Sequence, residues 1–394
     1  MSRDLSRLDS FLADAGFDGY LVADDGEDSD QRYLAGFDAP DEFVTLRADG
    51  ETHLLVSGLE YGRATKEAEA DHVVRYSDYD WAEKVEQFGR EEARIRMLAE
   101  FVADCGAGAS DLSVPASFPL GTADPLRKRD LSLTPETDEV VTEIRATKTD
   151  EEVAAIREAQ RANESAMARA EELLRAASVA EDGTLRHEGE VLTSERVAEA
   201  IEVTLLREGC ALDETIVACG SDAADPHDRG SGPLVAGEAI IVDIFPRSKA
   251  TGYHSDMTRT FVKGEASAEI ESWFDVTDEA REAALAAVEP GVTGAAVHDA
   301  VCDVYESAGH PTLRSDHTTE TGFIHSTGHG VGLDVHELPR VSPGGGELKP
   351  GHVITIEPGL YDPAVGGVRI EDIVVVTDDG HENLVEYPVE LVVE

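Results

Sequence analysis

Positive charge is what this sequence has least of. Lysine occurs seven times, and Lys and Arg together number 33 against 82 Asp and Glu, a formal charge of −49. Binding to phosphate backbones needs a basic surface that such a composition can hardly assemble, so nucleic acid is excluded as a partner. Long apolar runs are missing as well. No stretch approaches the roughly 20 residues of a membrane span, and the opening MSRDLSRLDSFLADAGF has charges at helical spacing in place of the continuous apolar segment of a signal peptide. A cytoplasmic protein with no membrane partner is expected. Cysteine is scarce: Cys105, Cys210, Cys219 and Cys302 show no C-x-x-C spacing and read as reduced core residues.

The acid is spread along the whole chain instead of being gathered in a tail, which makes it a solvated surface suited to a salt-rich cytoplasm. At 1 M salt the Debye length shrinks to about 3 Å, so self-repulsion that would loosen the fold in dilute buffer is muted. The expectation is a halophilic protein that loses stability on desalting.

At 394 residues and 41% hydrophobic composition, the chain is long for one core, and two domains are expected. The first part alternates short helices and strands. Leu5, Leu8, Leu12 and Ala15 form one helical face closed by Gly16, and Phe43 to Leu46 with His53 to Val56 flank Asp49-Gly50 as a hairpin. Punctuation thickens at Pro115, Pro119, Pro125 and Pro135, and the boundary is set between residues 138 and 139. No cluster in residues 1–138 carries evident chemistry, which favours a packing or oligomerisation domain.

From residue 139 the pattern changes. Thr149 and Glu152 form a T-x-x-E capping box that starts a long amphipathic helix, and a second helix stops at Gly209. Strands follow, and after Gly264 the same order restarts: two helices, then strands. Two such halves would enclose a curved sheet, with a site in the crevice between them.

The chemistry gathers there. FIHSTGHGVGLDVHELP holds His325, His329 and His336, and Gly328, Gly330 and Gly332 remove side chains on both sides of His329, as where backbone must approach a ligand or another strand closely. Asp243 lies on the apolar strand AIIVDIF, and Asp256 stands thirteen residues later at the start of the next. Glu357 closes VITIE, and Glu371 sits inside GGVRIEDIVVV. An acid among Ile and Val is costly to bury unless paired or metal-bound. Four such carboxylates and His329 make five candidate ligands with few basic residues nearby. Oxygen-rich ligation with one imidazole suits a pair of divalent first-row ions better than a structural zinc. Two ions about 3.5 to 4 Å apart can lower the pKa of a shared water toward 7 and polarise a carbonyl, which implies amide hydrolysis.

GYHSDMTRT, STGHGVGLDVHE, IEPGLY and VRIEDIV occur in that order. By these motifs the chain resembles the Xaa-Pro peptidases, the prolidase and aminopeptidase P branch of the pita-bread metallopeptidases, over nearly all of residues 140–394. The element order before residue 135 is similar to the family's creatinase-like N-terminal domain. The resemblance implies an α+β fold, with a pita-bread catalytic domain of duplicated helix-helix-strand halves and a smaller α/β domain before it. It implies that Asp243 chelates one metal, that Asp256 and Glu371 bridge both, and that His329 and Glu357 complete the second. His227 and His336 match the histidines that hold the scissile carbonyl, His325 a histidine of the substrate pocket, and Arg369 an arginine near the site. Glu357 also matches the family's proton relay. Two divalent ions are implied, with Mn2+ placed first and Co2+, Zn2+ or Fe2+ also compatible, together with a peptide substrate and a homodimer or larger assembly.

The chain departs from the family's Asp-x-Gly at Asp243-Ile244-Phe245, and Pro246-Arg247 lengthens the turn before Asp256. Because both aspartates and Tyr253 persist, a reshaped hairpin is expected. Two rivals share the motifs: a hydrolase of a non-peptide amide of compatible-solute type, and a catalytically silent binding protein. Creatinase, which shares both domains without metal, lacks the ligand set.

Overall fold

The computed structural model describes residues 3–107 and 111–394. The chain forms two compact units, Met1–Arg145 and Ala146–Glu394, so the division falls after Arg145, later than the 138/139 position set from the sequence.

The first unit is built on a six-stranded mixed sheet. Its strands are β1 (Gly19–Asp24), β2 (Phe43–Ala48), β3 (Glu51–Val56), β4 (His72–Arg75), β5 (Asp111–Val114) and β6 (Ser132–Pro135), in the order β4-β3-β2-β1-β5-β6. The β2–β3 hairpin turns through Asp49 and Gly50, at φ 50° and 76°. Positive φ at both central residues is the backbone twist that suits a two-residue hairpin, and Asp-Gly tolerates it. The opening helix, Ser6–Ala15, buries Leu8 and Leu12 and ends at Gly16 as expected.

The second unit shows the duplicated order. Helices Asp150–Ala176 and Ser194–Arg207 precede strands Thr215–Cys219, Ile240–Ile244 and Met257–Lys263; helices Ala268–Ala287 and Gly294–Ser307 then precede strands Glu337–Val341, Val353–Ile356 and Asp372–Thr377. The capping box forms reciprocally at Thr149 and Glu152. Each half has its own apolar cluster, one around Met167, Ile201 and Val242 and the other around Val301, Ile354 and Val374.

Hydrogen bonds join the strand Met257–Lys263 of the first half to the segment around Arg369 and Glu371 of the second at one seam. Glu371 N–H donates to Thr258 O at 3.0 Å, and Thr260 Oγ1 donates to Arg369 O at 2.8 Å. The run GGVRIEDIVVV, which the sequence presents as one apolar stretch around Glu371, is broken at this seam. The segment is two strands, Gly366–Arg369 and Asp372–Thr377, paired in different sheets. Ile370 and Glu371 lie between them because the Glu371 amide bonds across the seam to Thr258. Asp243 alone of the four acids lies within a strand; Asp256 immediately precedes one, and Glu357 immediately follows one.

Candidate metal centre

The four acids sit where the two halves of the second unit meet. Asp243 faces Thr258 across antiparallel strands, and Asp256 lies two residues before that threonine. Thr258 Oγ1 donates to Glu371 Oε2 at 2.7 Å, which ties the acid of the second half to the strand of the first. Glu357 is steadied from its own strand by Thr355 Oγ1 at 3.4 Å, and the same hydroxyl accepts from the His329 amide at 3.1 Å. Each threonine lies on a strand two residues from the carboxylate at that strand's end, Asp256-x-Thr258 and Thr355-x-Glu357, the spacing that puts side chains of extended backbone on one face. Sequence reasoning missed both, although that spacing was visible.

His329 reaches the acids because its strand runs unusually close to its neighbours. A Cβ on Gly328 would stand 2.0 Å from Thr355 O, and one on Gly330 would stand 2.1 Å from Leu338 O. Glycine at both positions is a steric requirement. His329 Nε2 lies 3.4 Å from Glu357 Oε1 and 3.8 Å from Asp256 Oδ2. Its Nδ1 lies 3.1 Å from Gly330 O, so the proton belongs on Nδ1 and the Nε2 lone pair faces the carboxylates. One donor atom each from Asp256, His329 and Glu371 falls within 4.8 Å of the others.

Electrostatics show what the site lacks. Burial, then repulsion from Glu371, Asp243 and Glu357, raises the Asp256 carboxyl well above its ordinary value. Glu371 is raised in the same way, by burial and then by Glu357 and Asp243. Burial pushes Glu357 up to about 8 against the pull of Arg369. His329 falls to about 4, through burial and then the charge of His336, whose ring centroid is 4.2 Å away. The other nearby guanidinium, Arg259, is directed to Asp372 at 2.9 Å. Among the described residues Arg369 is the cation that faces the acids: its Nη2 donates to Asp243 Oδ2 at 2.6 Å, while Asp243 Oδ1 is buried without a hydrogen-bond partner. Buried like charges with one countercharge and an orphaned carboxylate oxygen fit divalent cations held by Asp243, Asp256, His329, Glu357 and Glu371.

The remaining expected residues lie around this centre. His325 is half-buried, and burial followed by the charge of Arg369 lowers it to about 3. Its Nδ1 lies 2.7 Å from Ser326 O, which leaves Nε2 to accept from Tyr361 OH at 3.1 Å. Tyr361 OH in turn accepts from Arg369 Nη1 at 2.9 Å. Tyr361 is fully buried and was not singled out from IEPGLY, where a strand tyrosine reads as core. His336 and His227 stand at the solvent edge. They are close enough for desolvation and then the charge of His227 to hold His336 below its ordinary value. The lengthened turn after Asp243 is held by Ser248 N–H to Tyr253 O at 2.9 Å and by Tyr253 OH to Glu152 Oε1 at 2.5 Å.

Carboxylates and one imidazole around a cation-seeking pocket define the site of a metal-dependent hydrolase. Residues 154–378 match metallopeptidase family M24, residues 5–146 match the creatinase/prolidase N-terminal domain, and the chain belongs to that metallopeptidase family. It is 32% identical over 401 residues to a probable dipeptidase PepE from Mycobacterium tuberculosis, spanning 100% of this chain and 96% of the relative. It is 27% identical over 399 residues to an Xaa-Pro dipeptidase from Pyrococcus horikoshii, spanning 100% of this chain and 99% of the relative. A solved Xaa-Pro dipeptidase from Bacillus anthracis superposes with a TM-score of 0.81 at 25% identity over 98% of each chain. The expected family, the pita-bread fold with its creatinase-like N-terminal domain and the expectation of a metallopeptidase are borne out. Among the described residues, no helix is long and apolar enough to cross a membrane.

Proposed function

We propose that this chain is a dinuclear metal-dependent peptidase that cleaves the amide bond before proline in Xaa-Pro dipeptides or short peptides. One observation carries the reading: four carboxylates and the His329 Nε2 lone pair converge where Asp243 Oδ1 is buried and unpartnered. The names of the relatives above supply the proline preference.

Asp243, Asp256, His329, Glu357 and Glu371 would hold the two cations, with Mn2+ first among the candidates. When bound, such cations supply a water of lowered pKa and polarise a carbonyl. The protein's own groups do the rest. Glu357, whose Oε1 lies 3.4 Å from His329 Nε2 at the centre of the site, is placed to relay a proton from the attacking water to the leaving amine. His227 and His336, at the edge of the site, are positioned to donate to the carbonyl oxygen as it gains charge. His325, Tyr361 and Arg369 form one hydrogen-bonded wall that orients the substrate.

The test is a panel of Xaa-Pro dipeptides, longer Xaa-Pro peptides and proline-free controls, assayed with added Mn2+ at high salt. Turnover confined to the Xaa-Pro members and abolished by chelation is expected. Full activity of metal-free protein overturns the mechanism, and equal turnover of the controls overturns the specificity.

A further inference from the structure

The sheet of the N-terminal unit gathers a second set of metal-ligating side chains. The parallel pairing of β3 with the edge strand β4 sets His53 directly opposite His72. Glu51 lies two residues before His53 on β3, so the period-two alternation of a strand carries both to one face. His72 Nε2 is 3.0 Å from Glu51 Oε2, and His53 Nε2 is 4.0 Å from the same oxygen. The two rings are stacked, with centroids 4.7 Å apart and planes at 21°. One donor atom from each of the three side chains lies within 4.8 Å of the other two.

Two imidazoles and one carboxylate, with a side open to solvent, are the donor set of a late first-row divalent cation such as Zn2+. Glu51 and His72 are exposed, so side-chain rotation alone can bring their donors to the ~2.0–2.2 Å that such ions require. Burial and the neighbouring His72 hold the His53 imidazole below its ordinary value, and a neutral ring has the lone pair that ligation needs. Glu51 and Asp71 make the surroundings anionic. β4 is only four residues long and has a neighbour on one side, so it is held by few backbone bonds.

We propose that Glu51, His53 and His72 form a surface site for a Zn2+-class cation that clamps the edge strand β4 to β3. A cation bound only by the paired strands stabilises the folded state by mass action. The site was illegible in the sequence because His53 and His72 are brought together only by the register of two strands.

Equilibrium dialysis of the full-length protein against Zn2+, compared with the double variant His53→Gln/His72→Gln, tests the proposal. Both are measured in ~1 M KCl, where loose association with surface acids is screened. The double variant is expected to bind one equivalent fewer, with unchanged Mn2+-dependent peptidase turnover as proof of an intact fold. Glu51→Gln is expected to weaken Zn2+ binding about tenfold, and Zn2+ is expected to raise the Tm of the unsubstituted protein more than that of the double variant. Equal stoichiometry in the two proteins, or binding that disappears in KCl, overturns the site.

Discussion

Arg369 grips one oxygen of Asp243 and leaves the other bare: Nη2 donates to Oδ2 at 2.6 Å, and Oδ1 is buried with no partner. The same guanidinium bonds Tyr361 OH at 2.9 Å, Pro226 O at 3.2 Å and Thr258 Oγ1 at 3.3 Å. A planar fork can satisfy all four; an ammonium on a flexible stem cannot. Arg369→Lys is therefore expected to lower metal affinity and turnover together by about 10–100-fold, the usual scale for groups that orient ligands. Elemental analysis after dialysis and Xaa-Pro turnover check this. Wild-type values for both would make Arg369 a bystander.

The raised carboxyls fix the pH dependence of the metal-free protein. Asp256 and Glu371 are held well above their ordinary values and Glu357 at about 8, so the folded state keeps protons that the unfolded chain releases near pH 4. More protons on the folded state means that stability falls as pH rises from about 4 through about 8. Cations displace those protons, so the stabilisation by Mn2+ grows over the same interval. The Tm difference between Mn2+-loaded and chelator-treated protein should widen between about pH 5 and about pH 8. A difference independent of pH would show that those carboxyls do not hold the cation.

His336 packs edge-on against the ring of His329, with centroids 4.2 Å apart, and stands at the solvent edge of the site. His336→Ala should leave metal content unchanged and reduce kcat by about 10²–10³, as the loss of one donor to a developing oxyanion does. Loss of metal in this variant would make His336 a support for His329 and not a substrate contact.

What the sequence disclosed and what it hid follow from physical range. Asp243, Glu357 and Glu371 were legible because a carboxylate in an apolar run is costly and conspicuous, and His329 because glycines stand on both sides of it. The duplicated order of the second unit was legible from helix caps and periodicity. The break at Ile370–Glu371 was not, because it arises where Glu371 bonds Thr258, more than a hundred residues away in the chain. Tyr361 was hidden for the opposite reason: a buried strand tyrosine is ordinary, and only Arg369 and His325 converging on its hydroxyl mark it as part of the site.

Lys148 and Glu337 form an ion pair at 2.8 Å with both side chains almost wholly buried, at 1% and 2% exposure. Glu337 follows His336 directly, and its other oxygen accepts from the Asp334 amide at 3.0 Å, so the pair anchors the loop that carries His336. Lys148→Met removes the ammonium that Glu337 meets in the interior, and breaking a buried pair by removing one partner costs about 3–5 kcal/mol. The double variant Lys148→Met/Glu337→Gln removes the carboxylate charge as well and should recover part of the loss. Thermal unfolding of the single and double variants decides the matter: a single variant as stable as the parent would mean that water or a rearranged neighbour already serves Glu337.

Salt should stabilise this protein, and the sign can be argued from its ion pairs. Screening weakens attraction and repulsion alike, so the outcome depends on which is more numerous. With 33 basic residues against 82 acidic, most acids have no cation to meet. Arg314 is already shared by Asp299, Asp303 and Glu306, and Arg63 by Asp38, Glu60 and Glu67. Exposed pairs of this kind are worth about 0–1 kcal/mol each, so little is lost when they are screened. The unpaired acids repel over a Debye length that falls from about 30 Å at 0.01 M to about 3 Å at 1 M, and that relief exceeds the loss. Tm should therefore climb steadily with KCl, and Lys or Arg substitutions at isolated surface acids should flatten the slope. A Tm that does not move with salt would mean that the surface charge does not strain the fold.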